Sequence, residues 1–263
     1  MENRFSKYLI DLLPRTGRMI REDGTAINEA DVILGGEPSR QQKTLISDRS
    51  GRTATVSSTG ELLIGSRIDS VSINFQYGIS TMEIRDGGIV TGDASIGQSA
   101  AMATISTGTG VGSATLQSLR SVRYRSGHES YASQSVVFAV PEENVNQYCG
   151  FLDGSDGFCI GYQGLEPGLW LIEGDNYNFI PQSTWNIDKM DGTGPSGYII
   201  DLQAGQVPEL KFVWHGLRNM TLEIVADTGQ SLPCHVLKFI NKATETHLEN
   251  PTLPISVKIE RVS

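Results

Sequence analysis

Apolar positions change period early in this chain. Phe5, Tyr8, Leu9, Leu12 and Leu13 recur at the three- and four-residue spacing of one helix face, and Pro14 ends the run, which predicts a short amphipathic helix. Residues 18–22 and 25–27 flank Asp23-Gly24, a pair suited to a tight hairpin turn, and residues 28–31 open a second helix that Gly35-Gly36 stops. After a Gly/Pro/Ser/Gln linker at 36–42 the period becomes two. Short strands are expected at 44–46, 53–56 and 61–64. Val71, Ile73, Phe75 and Tyr77 alternate with Ser72, Asn74 and Gln76, the pattern of a half-buried strand.

Residues 87–118 are Gly, Ser, Thr and Ala with few large apolar groups, so this stretch is expected to be either a mobile connector or a segment packed between subunits. From 120 onward the pattern is strand again. The continuous apolar run at 135–140 reads as a central strand closed by Pro141, and further strands are expected at 158–162, 168–172, 210–214, 220–225, 234–240 and 255–259. Seven or more antiparallel strands without helical interruption predict an all-β fold, an antiparallel β-sandwich of jelly-roll or lectin-like type. Three regions follow: an attachment segment and linker at 1–42, a β-rich connecting or oligomerisation region at 43–119, and the sandwich at 120–263.

Charge narrows the choice of partners. Residues 1–50 carry no net charge and 51–126 carry +1, whereas 127–263 carry −10. An acidic half without clustered Lys and Arg disfavours nucleic acid and anionic membranes as partners. Membrane insertion is not expected, because no apolar run is long enough to span a bilayer. Residues 1–13 mix Arg4, Lys7 and Asp11 among apolar positions and lack a small-residue cleavage site, so no secretory signal is expected.

Cys149, Cys159 and Cys234 fit no zinc or redox spacing and read as buried reduced thiols; whether Cys149 and Cys159 face each other on neighbouring strands is not decided by sequence. His215, Cys234 and His235 have no metal-ligand spacing. Residues 153–157 (Asp-Gly-Ser-Asp-Gly) resemble half a calcium loop but read first as a plain turn. The adjacent His128 and Glu129 point apart on a strand, and nothing ranks the 17 acids of the last 137 residues as a catalytic pair. No cofactor, no metal and no catalytic residue is therefore assigned, and no enzyme activity is expected. Trp170, Tyr177 and Trp185, with Phe179 and Tyr198, are the candidate ligand contacts. Arg123 and Arg125 fall on one face of an expected strand, where with Glu129 they are candidates for a structural salt bridge between sheets or subunits.

Five motifs occur in a fixed order: residues 123–129 (Arg-Tyr-Arg-Ser-Gly-His-Glu), 161–164 (Gly-Tyr-Gln-Gly), 180–186 (Ile-Pro-Gln-Ser-Thr-Trp-Asn), 191–197 (Asp-Gly-Thr-Gly-Pro-Ser-Gly) and 250–254 (Asn-Pro-Thr-Leu-Pro). In that order they resemble a module of tailed-bacteriophage virion proteins, found in fibres, spikes and decoration proteins. Residues 13–18, 22–24 and 28–31 are similar to an attachment segment at the start of phage fibre-type proteins. The resemblance implies a virion component made in the host cytoplasm. Other virion proteins are then its partners, and a homotrimer is its expected state. A host-surface glycan is a candidate ligand, and a capsid decoration protein or a glycan-binding or depolymerising module is the alternative. Phe5, Tyr8, Leu9 and Leu12 would form the attachment stripe. Deleting residues 1–36 is expected to leave the sandwich folded, as judged by circular dichroism, and to abolish incorporation into particles; normal incorporation would place the anchor elsewhere.

Overall fold

The computed structural model describes residues 69–262. The helix and hairpin expected in residues 1–36, the strands expected at 44–64 and the attachment residues Phe5, Tyr8, Leu9 and Leu12 lie outside these. Thirteen strands follow one another among the described residues. They are β1 (Ile89–Gly92), β2 (Ser95–Ser99), β3 (Met102–Ser106), β4 (Gly112–Val122), β5 (Ser130–Ser133), β6 (Val145–Leu152) and β7 (Gly157–Gln163). The rest are β8 (Glu166–Glu173), β9 (Asn176–Pro181), β10 (Pro208–Phe212), β11 (Met220–Val225), β12 (Ser231–Leu237) and β13 (Leu253–Arg261). A seven-stranded sheet has the order β1-β4-β13-β6-β7-β8-β9, and a four-stranded sheet has the order β12-β11-β10-β5. All pairings are antiparallel, and β2 and β3 form a separate hairpin. The protein is an all-β antiparallel sandwich.

Strands β6 to β9 are a meander whose turns are written in the sequence. Gly174 and Asp175 both have positive φ, 55° and 64°, as the two-residue turn joining Glu173 to Asn176 requires. Alternate residues of these strands face the second sheet. Phe151, Phe158, Ile160, Leu169 and Leu171 meet Leu210, Phe212, Met220, Leu222 and Ile224 in one core, with the rings of Phe151 and Phe212 edge to face at 5.1 Å. The β2–β3 hairpin covers Ala114 and Ile259 with Ile96 and Ile105. Tyr148, Leu152, Cys159, Trp170 and Ile172 make a second buried cluster on the other face of the seven-stranded sheet.

Several expectations change here. Residues 112–122 are β4, paired with β1 and β13, so much of the Gly/Ser/Thr/Ala stretch is ordered within the chain and the boundary expected at 119/120 falls inside a strand. Small side chains suit this position: Ala114 sits in the core, and Ser118 donates its hydroxyl to the carbonyl of Arg120 and accepts the N–H of Ile255. Residues 71–76 alternate between half-buried and exposed as their pattern predicts, whereas Tyr77 is exposed; the segment pairs with no strand among the described residues, and Phe75 is tied by its carbonyl to Gln98. The run at 135–140 is a flank, not a central strand. It bonds to Gln206 and Leu202 through Val136 and Phe138, buries Phe138, and leaves Val137 and Val140 exposed. Cys149 lies opposite Ile160 and Cys159 opposite Gly150, so the two thiols point to opposite faces of the sheet and do not meet. All three cysteines are free and buried, and burial pushes the Cys149 thiol up to about 12.

Gly161 of the second motif stands beside Gly168 on β8 and Tyr148 on β6. A Cβ there would overlap the carbonyl oxygen of Gln147. Gly161→Ala is expected to part β6 from β7 and destabilise the fold by about 3 kcal/mol, read as a lowered denaturant midpoint; an unchanged midpoint would show that the strands can yield.

Candidate functional site

Several loop carboxylates accept backbone N–H groups. In the turn between β6 and β7, Asp153 Oδ1 accepts the N–H groups of Ser155 and Asp156 at 3.0 and 2.9 Å. Asp156 is buried, and its two carboxylate oxygens accept the N–H groups of Glu249 and Asn250 at 2.9 and 3.0 Å. Asn250 returns its side-chain amide to Asp153 Oδ2 at 2.9 Å and accepts the N–H of Thr252. The half calcium loop thus serves as a turn that grips the segment leading into β13. No group of three or more His, Cys, Asp or Glu side chains converges to hold a metal among the described residues.

A second hub lies beyond β9. Asp188 is buried, with Oδ1 accepting the N–H of Met190 at 2.9 Å and Oδ2 accepting the N–H of Ser196 at 2.8 Å. Burial alone would raise its carboxyl, but these bonds prevail and hold it below the usual carboxylate range. Asp191 caps Thr193 through its N–H and hydroxyl, and Ser196 Oγ accepts the N–H of Tyr198. Asn186 makes a two-way bond to Val236, donating to its carbonyl at 2.7 Å and accepting its N–H at 3.0 Å. Asn186, Asp191 and Ser196 therefore do the work that their positions in Gly-rich loops suggest. Asp156 falls in the half calcium loop marked by the sequence, without the clamping role, and Asp188 was not singled out. The available signal was an acid three residues after the turn-starting Asp153, and an acid shortly before the Gly-rich 191–197 stretch.

Residues 123–129 leave β4 and form a loop, with a turn closed by the His128 N–H on the Arg125 carbonyl. Tyr124 anchors this loop: its N–H reaches Thr252 Oγ1, and its ring lies edge to face with Trp214 at 5.3 Å. Alternation about an inward Tyr124 turns Arg123 and Arg125 outward, where both are exposed and neither forms an ion pair among the described residues. Among the described residues, then, Arg123 and Arg125 make no inter-sheet ion pair. Glu129 is half-buried and engaged. Ion pairing falls instead to Lys211, which bridges Glu209 at 3.3 Å and Glu223 at 2.6 Å across β10 and β11. Glu209 also accepts the Tyr131 and Ser231 hydroxyls; burial opposes ionisation, yet the donors around it keep its carboxyl below the ordinary value.

Of the candidate ligand contacts, Trp170 and Trp185 are 2% and 4% exposed: Trp185 joins the core between the sheets, whereas Trp170, alternating with the inward Leu169 and Leu171, is buried in the second cluster on the other face of the seven-stranded sheet against Tyr148 and Phe179. Tyr177 is 43% exposed on the edge strand β9, beside exposed Asn176 and Asn178, with its hydroxyl donated to the Gly154 carbonyl. His235 is buried in β12, while His215 lies exposed in a loop.

No protein-family model matches the chain, and comparison with curated proteins finds no match. Among solved structures, the chain is similar to the carbohydrate recognition domain of Emp47p, at 11% identity and a TM-score of 0.40, over 75% of this chain and 90% of that one. It is also similar to a legume lectin-like domain from Entamoeba histolytica, at 11% identity and a TM-score of 0.33 over the same shares. The receptor binding domain of botulinum neurotoxin type G aligns at 10% identity and a TM-score of 0.28, over 67% of this chain and 44% of that one.

Asp188→Ala removes an ionised acceptor from the buried N–H of Met190 and the part-buried N–H of Ser196, at a cost of about 1.5–3 kcal/mol per charged hydrogen bond lost. The variant is expected to melt lower and to be cut by protease within 186–198; wild-type resistance there would exclude Asp188 as the hub. Because the Asp188 carboxyl is held low in the folded state, its contribution is full above the ordinary carboxylate range. It is lost as pH falls through the folded value, below about 4.

Proposed function

We propose that the chain is a non-catalytic structural component of a tailed-phage virion, of fibre or spike type, attached through residues 1–36 and projecting its β-sandwich as a homotrimer. The observation that carries this reading is the use of the motif polar residues. Asn186, Asp191, Ser196 and Asn250, with Asp156 and Asp188 beside them, are engaged with backbone groups or with one another, so the motifs on which the phage resemblance rests describe a scaffold. Outward Arg123 and Arg125 suit carboxylates of a neighbouring subunit. The outer edge of β1, with Ile89 and Val90 exposed, suits strand or side-chain packing between copies.

A glycan-binding module on the same particle is the second reading. It is favoured by Tyr177, an exposed ring on an edge strand, which suits stacking on a sugar face. A capsid decoration protein would use the same scaffold at a different place on the particle.

Imaging of intact particles with an antibody against this chain tests the first reading, with label on a projecting appendage as the expected result; unlabelled particles would contradict it. A glycan array tests the second, where binding that Tyr177→Ala abolishes at unchanged stability is expected. Arg125→Ala is expected to shift sedimentation toward smaller species while the melting of the sandwich changes by no more than about 0.5 kcal/mol. Unchanged sedimentation would remove the subunit role, and glycan hydrolysis by the wild-type chain would contradict a non-catalytic protein.

A further inference from the structure

The loop beyond β9 is fastened to β12 by five hydrogen bonds. Four are insensitive to mild acid. The N–H groups of Ile187 and Asp188 both reach the Cys234 carbonyl, at 3.2 and 3.0 Å, and the Asn186 side chain makes its two-way bond to Val236. The fifth is different: the N–H of Asn186 donates to Nδ1 of His235 at 3.1 Å. A backbone N–H can only donate, so this bond requires Nδ1 to be unprotonated. A proton there would set two N–H groups against each other at a part-buried contact.

We propose that His235 is the proton-sensitive element of a latch holding the 182–191 loop onto β12, closed at neutral pH and loosened by mild acid. The groups around it offer an imidazolium little compensation. From the loop side, the Asp188 carboxylate is engaged by the Met190 and Ser196 N–H groups, Asp191 is engaged by Thr193, and Lys189 is a cation. From β11, Glu223 is engaged by Lys211. On β12 itself, Cys234 is a thiol that burial keeps protonated. Burial likewise lowers the His235 ring below its ordinary value, so the folded protein resists the proton that the unfolded chain accepts. The latch contributes fully where both states are neutral, above about pH 6.5, and weakens as pH falls below that value toward the folded pKa. The other buried histidine is built differently. Nε2 of His247 lies 2.7 Å from the Arg218 carbonyl, a bond that protonation retains.

The test is nitrogen-15 NMR and hydrogen exchange on the full chain between pH 7.5 and 5.0. After correction for intrinsic exchange, protection of the Asn186 amide is expected to fall by about tenfold, the scale of one hydrogen bond lost. The fall should follow the His235 ring titration. His235→Asn, which offers an amide oxygen where Nδ1 stood and cannot titrate, is expected to keep the Asn186 protection constant across the range. His247→Asn is expected to leave the wild-type response of Asn186 in place. The same fall in His235→Asn would overturn the latch. So would a wild-type His235 that gains its Nδ1 proton while the Asn186 amide keeps its shift and protection, a reading that needs no variant to fold.

Discussion

The sandwich depends on the placement of its last strand. β13 lies between β4 and β6, so residues 253–261 join the β1–β4 edge to the β6–β9 meander. Without it the seven-stranded sheet is two unconnected pieces. Its start is fixed from several sides: Asp156 grips the N–H groups of Glu249 and Asn250, Ser118 Oγ accepts the N–H of Ile255 at the register shift, and Ser256 and Gln117 share the Leu152 carbonyl. These are non-local contacts, and a fold that closes through them forms its central pairing late in chain order.

The carboxylates explain how an acidic half of the chain supports a packed fold. Asp156 and Asp188 are buried as acceptors for two N–H groups each, which places negative charge where backbone dipoles converge. Glu209 and Glu223 stand directly opposite one another and are held by a shared lysine. Removing that lysine would leave like charges facing across the ladder.

Apolar runs made β7, β8, β10, β11 and the middle of β13 legible in the sequence, because each carries large side chains bounded by turn residues. β4 was not legible, since its Gly, Ser, Thr and Ala content reads as a connector while its neighbours supply the large groups. The 71–76 and 135–140 segments show the converse: among the described residues, their pattern yields burial on one side and no ladder. Tyr124 decided the fate of residues 123–129, since a ring that docks on Trp214 sends the flanking arginines to solvent, and aromatic docking cannot be read from alternation alone. Trp170 is buried although alternation turns it away from the second sheet, as period two fixes which residues share a face and leaves open which face is covered; Trp185 is core from a turn, which no period foretells.

The central claim is that motif loops are held by buried carboxylates on backbone N–H groups. Hydrogen exchange at single-residue resolution, at pH 7, tests it at Met190, Ser196, Glu249 and Asn250. Protection of these loop amides on the scale of the central β6 and β7 amides is the predicted result. Exchange at the rate of an open peptide would contradict it.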